Sequence, residues 1–188
     1  MISPLRSIAS ALLVTATATP AVKLSGFVAM SPTSALRDTP TENEAARLET
    51  GPDFGTPLAI AMEKLDEWPT YRHDPSRSGA SQHFVPAALA ENWATPVLSP
   101  SEIASGGKLS RLTVADGKVF VAKVESHELH ALDATTGGLL WQYTTGGRID
   151  SPPTLWGGRC LFGTRSGFVT CLRATDGALI WRFRAAPR

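Results

Sequence analysis

Cysteine is nearly absent from this 188-residue chain: Cys160 and Cys171 are the two it contains. They form no C-x-x-C pair and no Cys/His metal spacing. None lies near the N-terminus, so a bacterial lipid anchor on a cysteine is not expected. Charge of one sign is lacking too. Eighteen Lys and Arg against seventeen Asp and Glu leave a net charge of +1, which predicts neither nucleic-acid nor anionic-membrane binding. No stretch approaches the roughly 20 apolar residues of a membrane span. A nucleophile beside a base, paired carboxylates at useful spacing and a metal-ligating cluster are all missing, so no catalytic residue is assigned.

Glycine and proline, by contrast, are plentiful at 16 and 14 residues. That much glycine does not suit helix interiors and points to turns. Two segments explain it, because they are copies of each other. DGKVFVAKVESHELHALDATTGGLLWQY (116–143) aligns with GGRCLFGTRSGFVTCLRATDGALIWRF (157–183). Leu132 falls on Leu172, Gly137 on Gly177 and Trp141 on Trp181. The offset of about 40 residues is that of propeller blades or solenoid units.

Each copy reads as four short strands. In the first they are 111–115, 118–124, 128–133 and 139–145, with turns at Asp116-Gly117 and at residues 135–138. In the second they are 151–156, 159–164, 168–173 and 178–185, with turns at Gly157-Gly158, Ser166-Gly167 and Asp176-Gly177. Glycine turns between short β-rich runs predict repeated antiparallel meanders. Cys160 and Cys171 fall on neighbouring strands, nearly opposite one another. A bridge would suit an oxidising compartment. Small apolar core positions, replacing Val119 and Ala131 of the first copy, explain them more simply.

Upstream, the character changes several times. Residues 1–26 carry Arg6, a mildly apolar run and Ala16-Thr17-Ala18, a weak secretory signal beside the alternative of an ordinary disordered start. Residues 27–65 are broken by Pro32, Pro40, Pro52 and Pro57 and read as disordered linker, with a short helix over 58–65 and one helical turn near 45–48. Residues 66–110 form a lead-in. They hold an aromatic pair, Trp68 and Tyr71, and a charged cluster, Arg72, His73, Asp74 and Arg77; Trp68 would plug into the fold while the charges stay solvated. Adjacent His73 and Asp74 point to opposite sides of an extended chain and make a poor catalytic dyad. ENWATPVL (91–98) reads as an orphan strand resembling the one that ends each repeat. His127 and His130 are spaced i, i+3. On a helix that could ligate a metal; on a strand the two side chains diverge, with His127 toward solvent and His130 packed.

ALDATTGGLLW (131–141) resembles the A-x-D-x-x-T-G-x-x-x-W signature of quinoprotein-like propellers, the PQQ repeats. CLRATDGALIW (171–181) matches with three departures: Cys171 for Ala, Arg173 for Asp and Asp176 for Thr. DEWPTYRHDPSRSG (66–79) is similar to the segment that precedes the first blade in such proteins. The resemblance spans 66–188 and implies an all-β fold, a partial β-propeller of two four-stranded blades with an extra strand. The signature residues Ala131, Asp133, Thr136, Gly137, Trp141, Gly177 and Trp181 are structural in this family, the tryptophans docking over the neighbouring blade.

A closed propeller takes about 4 to 8 blades, so two leave open flanks. The remaining blades are expected in cis, from a longer parent of which this is a fragment, or from another protein chain. The resemblance implies two functions. One is a non-catalytic binding or scaffold module, periplasmic or secreted, without a cofactor. The alternative is a piece of a PQQ-dependent alcohol or sugar dehydrogenase, with the quinone on the axis beside Ca²⁺ and Asp150 as the candidate facing it. Some such enzymes stack the quinone on a disulfide between adjacent cysteines, and no adjacent pair exists here.

Overall fold

The computed structural model describes residues 44–58 and 67–186. The export signal read over 1–26 and nearly all of the helix read over 58–65 lie outside the described residues. A 3₁₀ turn, Glu44–Arg47, leads into β1, Leu48–Thr50. A five-residue helix, α1 (Pro100–Ala104), precedes two antiparallel sheets. The first sheet runs β2 (Thr113–Ala115), β3 (Lys118–Lys123), β4 (Glu128–Asp133) and β5 (Leu139–Thr144), each strand paired with the next. The second runs β6 (Thr154–Trp156), β7 (Arg159–Gly163), β8 (Phe168–Arg173) and β9 (Leu179–Arg184). These are two blades of a PQQ-like β-propeller.

The turns follow from residues that accept positive φ. Asp116 and Gly117 (51° and 68°) close β2 onto β3, and Gly157 and Gly158 (54° and 73°) do the same for β6 and β7. Two successive left-handed residues match the twist of the flanking strands. Each blade also bends at the same place, between Ala131 and Leu132 in one and between Cys171 and Leu172 in the other. The repeat therefore extends to its irregularities.

Alternation along the strands divides the first blade into two faces. Phe120, Ala122, Leu129, Ala131 and Trp141 face the second blade and join Leu155, Cys160, Phe162 and Leu172 in one shared core. Val119, Val121 and Leu132 face the other way, against Trp93 and Val97. Tyr143 and Phe162 meet edge to face across the blade interface, 6.4 Å between centroids. Burying these apolar faces against each other is the main force holding the blades together.

Two sequence expectations need correction. Residues 91–98 are not a strand: none is assigned there, and among the described residues none of their backbone N–H or C=O groups is hydrogen-bonded. Pro96 has no N–H to donate, and the segment joins neither sheet among the described residues. The extra strand is instead β1, from within the stretch read as linker. It pairs antiparallel with β9, Leu48 opposite Phe183 and Thr50 opposite Trp181. Its side chains are exposed, so no alternation announces it. Gly51 then lets the backbone pass so close that a Cβ there would overlap the Leu179 carbonyl.

The cysteines occupy core positions and are unbridged. Cys160 stands opposite Leu172 and Cys171 opposite Leu161, a register that sends the two side chains to opposite faces of the sheet. Burial pushes both thiols above their ordinary pKa.

Candidate functional site

The signature residues form one device, repeated. Asp133 ends β4 and its carboxylate accepts from the Thr135 and Thr136 N–H groups (2.9 and 2.8 Å) and from the Thr136 hydroxyl (3.1 Å). Those bonds, led by the Thr136 amide, hold its pKa below the usual aspartate range. The tight turn puts Gly137 at φ 72°, flat enough for an indole to lie on it. In the second blade Arg173 replaces the aspartate, and the turn is held differently. Its guanidinium grips Asp176 through two bonds (2.9 and 2.6 Å) and reaches Asp53 at 2.7 Å. The substitution of Asp176 for Thr is thus the partner of the substitution of Arg173 for Asp.

Trp141 leaves β5 and lies against Gly177, its Nε1 donating to the Ala174 carbonyl at 3.2 Å. Trp93 does the same one step earlier, with Gly137 beneath it and its Nε1 donating to the Ala134 carbonyl at 3.0 Å. Asn92 and Thr95 add bonds to the carbonyls of Thr135 and Gly137. Residues 91–98 therefore stand toward the first blade as β5 stands toward the second. Trp181 is the third indole of the series. It is half-buried on the far flank, and among the described residues no carbonyl accepts its Nε1.

A charged network braces the β3–β4 hairpin. Lys123 lies between Glu102 (2.6 Å) and Glu128 (3.2 Å), and Glu128 also meets His130 Nε2 at 3.1 Å. Ser99 and Glu102 cap α1 reciprocally, and Ser126 donates to Glu102 at 2.6 Å. The hydrogen bond from Lys123, first among several, drives the Glu102 carboxyl far below its ordinary pKa. The S-x-x-E capping box, Ser99 to Glu102, was the sequence signal for this brace, within the lead-in. His130 is packed on the strand. His127 lies in the turn before it, at φ 61°, its carbonyl accepting from Thr145.

The remaining feature is a groove at the end where the innermost strands β2 and β6 begin. The lead-in ties those strands together: Trp68 and Val114 exchange backbone bonds of 2.8 and 2.9 Å, and Leu155 donates to the Pro69 carbonyl at 2.7 Å. His73 stands edge-on to Trp68, and the Asp74 carboxylate serves Ser78. The chain here is not extended, since Arg72 and His73 take positive φ, and His73 Nδ1 lies 3.5 Å from the Asp74 carboxylate, so the expectation that the two side chains point apart is corrected. Beside them lies a groove of about 380 Å³, lined by Thr70, Tyr71, Arg77, Arg111, Asp150 and Thr154 among others. The Arg77 and Arg111 guanidiniums lie over the Tyr71 ring, 5.5 and 5.4 Å from its centre. Asp150 does open into this groove, but its two oxygens face Arg148 (3.1 Å) and Arg165 (3.5 Å). Tyr71 and Arg77 were visible as part of a charged, aromatic cluster; Arg111, some 40 positions on, carried no signal of its own.

A family described as outer membrane protein assembly factor BamB matches residues 82–188, more than half of the chain. The chain belongs to the BamB family. BamB of Moranella endobia (strain PCIT) is 30% identical over 82 residues, covering 44% of this chain and 20% of that protein. BamB of Shewanella oneidensis is 31% identical over 105 residues, 56% of this chain and 24% of that protein. The chain thus spans about a quarter or less of the length of these BamB relatives. Among solved structures, the quinohemoprotein alcohol dehydrogenase of Comamonas testosteroni is 21% identical, with a TM-score of 0.44 over 63% of this chain and 19% of that one. The match to BamB takes in both blades and the Trp93 segment, the parts that carry the repeated docking device.

Proposed function

We propose that the chain is a non-catalytic scaffold segment of a BamB-like propeller in the bacterial periplasm, completed by further blades supplied in cis or by another chain. The observation that carries this is the position of residues 91–98. They hold the place of an outer strand against the first blade, with Trp93 docked as Trp141 is, yet their backbone groups find no partner among the described residues. Unpaired backbone in that position is an edge prepared for strand addition. Trp181, at the repeat position of Trp141 and half-buried, marks the complementary flank, where the turn of a following blade would dock. The two relatives are named for the assembly of outer membrane proteins, and we extend that role to this chain.

The groove supports binding over oxidation–reduction chemistry. Calcium is held by six to eight oxygens, carboxylates foremost. Here the groove's carboxylate, Asp150, already faces two arginines, and Arg77 and Arg111 add positive charge rather than oxygen ligands. The test combines two measurements on the full chain. Hydrogen exchange of residues 91–98 is expected to be fast in the isolated chain and strongly slowed once it is joined to the remaining blades. A dye-linked alcohol assay with PQQ and Ca²⁺ is expected to give no turnover. Amides 91–98 that stay unprotected in the joined protein, together with PQQ-dependent turnover, would overturn the proposal.

A further inference from the structure

Resting on the reading of this chain as a binding module, we propose that the groove at Tyr71, Arg77 and Arg111 binds an acidic peptide segment of a partner protein, its carboxylates held by the two guanidiniums. Stacking on an aromatic ring uses the face of a guanidinium and leaves its in-plane N–H donors free. Among the described residues neither Arg77 nor Arg111 is paired with a carboxylate, whereas Arg148, Arg165, Arg173 and Arg182 all are. Two oriented, unneutralised forks beside one cavity suit bidentate capture of carboxylates.

The lead-in holds this arrangement under strain. Arg72, His73 and Arg77 all adopt positive φ (61°, 80° and 57°), an unfavourable region for residues with side chains. Backbone bonds from Arg77 to Asp74 (2.9 Å) and from Gly79 to Arg72 (2.9 Å) lock the loop, and the Asp74 carboxylate staples Ser78. The outcome of that strain is the placement of Arg77 over Tyr71.

The other lining groups favour peptide over a lipid or nucleic-acid surface. Thr70, Ser151 and Thr154 offer hydroxyls that can both donate and accept, as backbone amides and carbonyls require. Tyr71 and Pro152 supply an apolar wall. A net charge of +1 provides no long-range attraction to an extended polyanion such as a nucleic acid. A volume of about 380 Å³ accommodates a short stretch of chain.

The test is fluorescence anisotropy of the full chain with a fluorescein-labelled octapeptide of alternating Glu and Gly, against the same peptide with Gln for Glu. The Glu peptide is expected to bind at least tenfold more tightly than the Gln peptide, and less tightly as salt rises. The double variant Arg77→Gln/Arg111→Gln should lose at least tenfold of that binding, while Lys118→Gln on the first blade leaves it unchanged. Equal binding of the two peptides by the unmodified chain overturns the proposal without any variant. So does full binding by the double variant, or tighter binding to phosphatidylglycerol vesicles than to the peptide. If these fail while residues 91–98 are still protected on joining the remaining blades, the acidic-peptide assignment alone falls. If both fail, the scaffold reading falls with it.

Discussion

Trp141 reaches from the first blade to the second and donates from Nε1 to the carbonyl of Ala174 at 3.2 Å. Its six-membered ring covers Gly177 so closely that a Cβ on that glycine would stand 2.7 Å from Cε3. An apolar plane, a polar handle and a bare backbone thus meet at one point, and the same triad recurs with Trp93, Ala134 and Gly137.

Trp141→Ala should destabilise the protein by about 3–5 kcal/mol, the cost of emptying a well-packed aromatic site. Trp93→Ala should cost less, on the order of 1.5–3 kcal/mol, because Trp93 is half-buried while Trp141 is 9% exposed. Urea unfolding of both variants tests the order; an equal or reversed order contradicts the docking account.

Gly177→Ala and Gly117→Ala separate backbone cost from collision. Both glycines have positive φ, 75° and 68°, and each alanine carries a conformational cost of about 1 kcal/mol. Only at Gly177 does the new Cβ meet an indole; around Gly117 nothing lies within 4 Å. The Gly177 variant should therefore lose a further 1–3 kcal/mol from overpacking. Matched shifts in the urea midpoint would show that the indole yields freely.

Acid should loosen the first blade through Asp133. Its pKa is depressed in the fold by the amides of Thr136 and Thr135. The stability it contributes is therefore present above the unfolded aspartate value of about 4 and is lost as pH falls through the lower folded value. Asp133→Asn removes that titration, so the decline in urea midpoint below pH 4 should be shallower in the variant. Identical pH profiles would mean that the turn does not depend on the ionised carboxylate.

Neither thiol should react with iodoacetamide at pH 8 while the protein is folded, since Cys160 and Cys171 are both fully buried with raised pKa. In denaturant both should label, without prior reductant. Intact-mass spectrometry reads the two added groups, and a need for reductant would indicate a bridge that the register forbids.

Much of this architecture was legible because side chains declare it. The bounds of β4 and β8 coincide with those read from the repeat, as hydrophobic alternation runs straight into a D-x-x-T-G or R-x-x-D-G turn. Backbone-only features were silent. β1 pairs through main-chain groups with exposed side chains, so nothing in Leu48, Glu49 and Thr50 distinguishes it from linker. Residues 91–98 misled in the opposite direction, having the composition of an outer strand but joining no sheet among the described residues. The groove was partly visible: Tyr71 and Arg77 share one segment, but Arg111 meets them only because the lead-in is bonded to β2.

The pairing of β1 with β9 brings together residues such as Glu49 and Arg182, 133 positions apart. Closing so long a loop is entropically costly, and a three-residue strand with exposed side chains returns little apolar burial in exchange. The fifth strand should thus be last to form and first to detach, a lightly held selvedge on an otherwise cooperative sheet. Its amides would exchange through local opening long before those of β8, and a protease would find this margin before it found either blade.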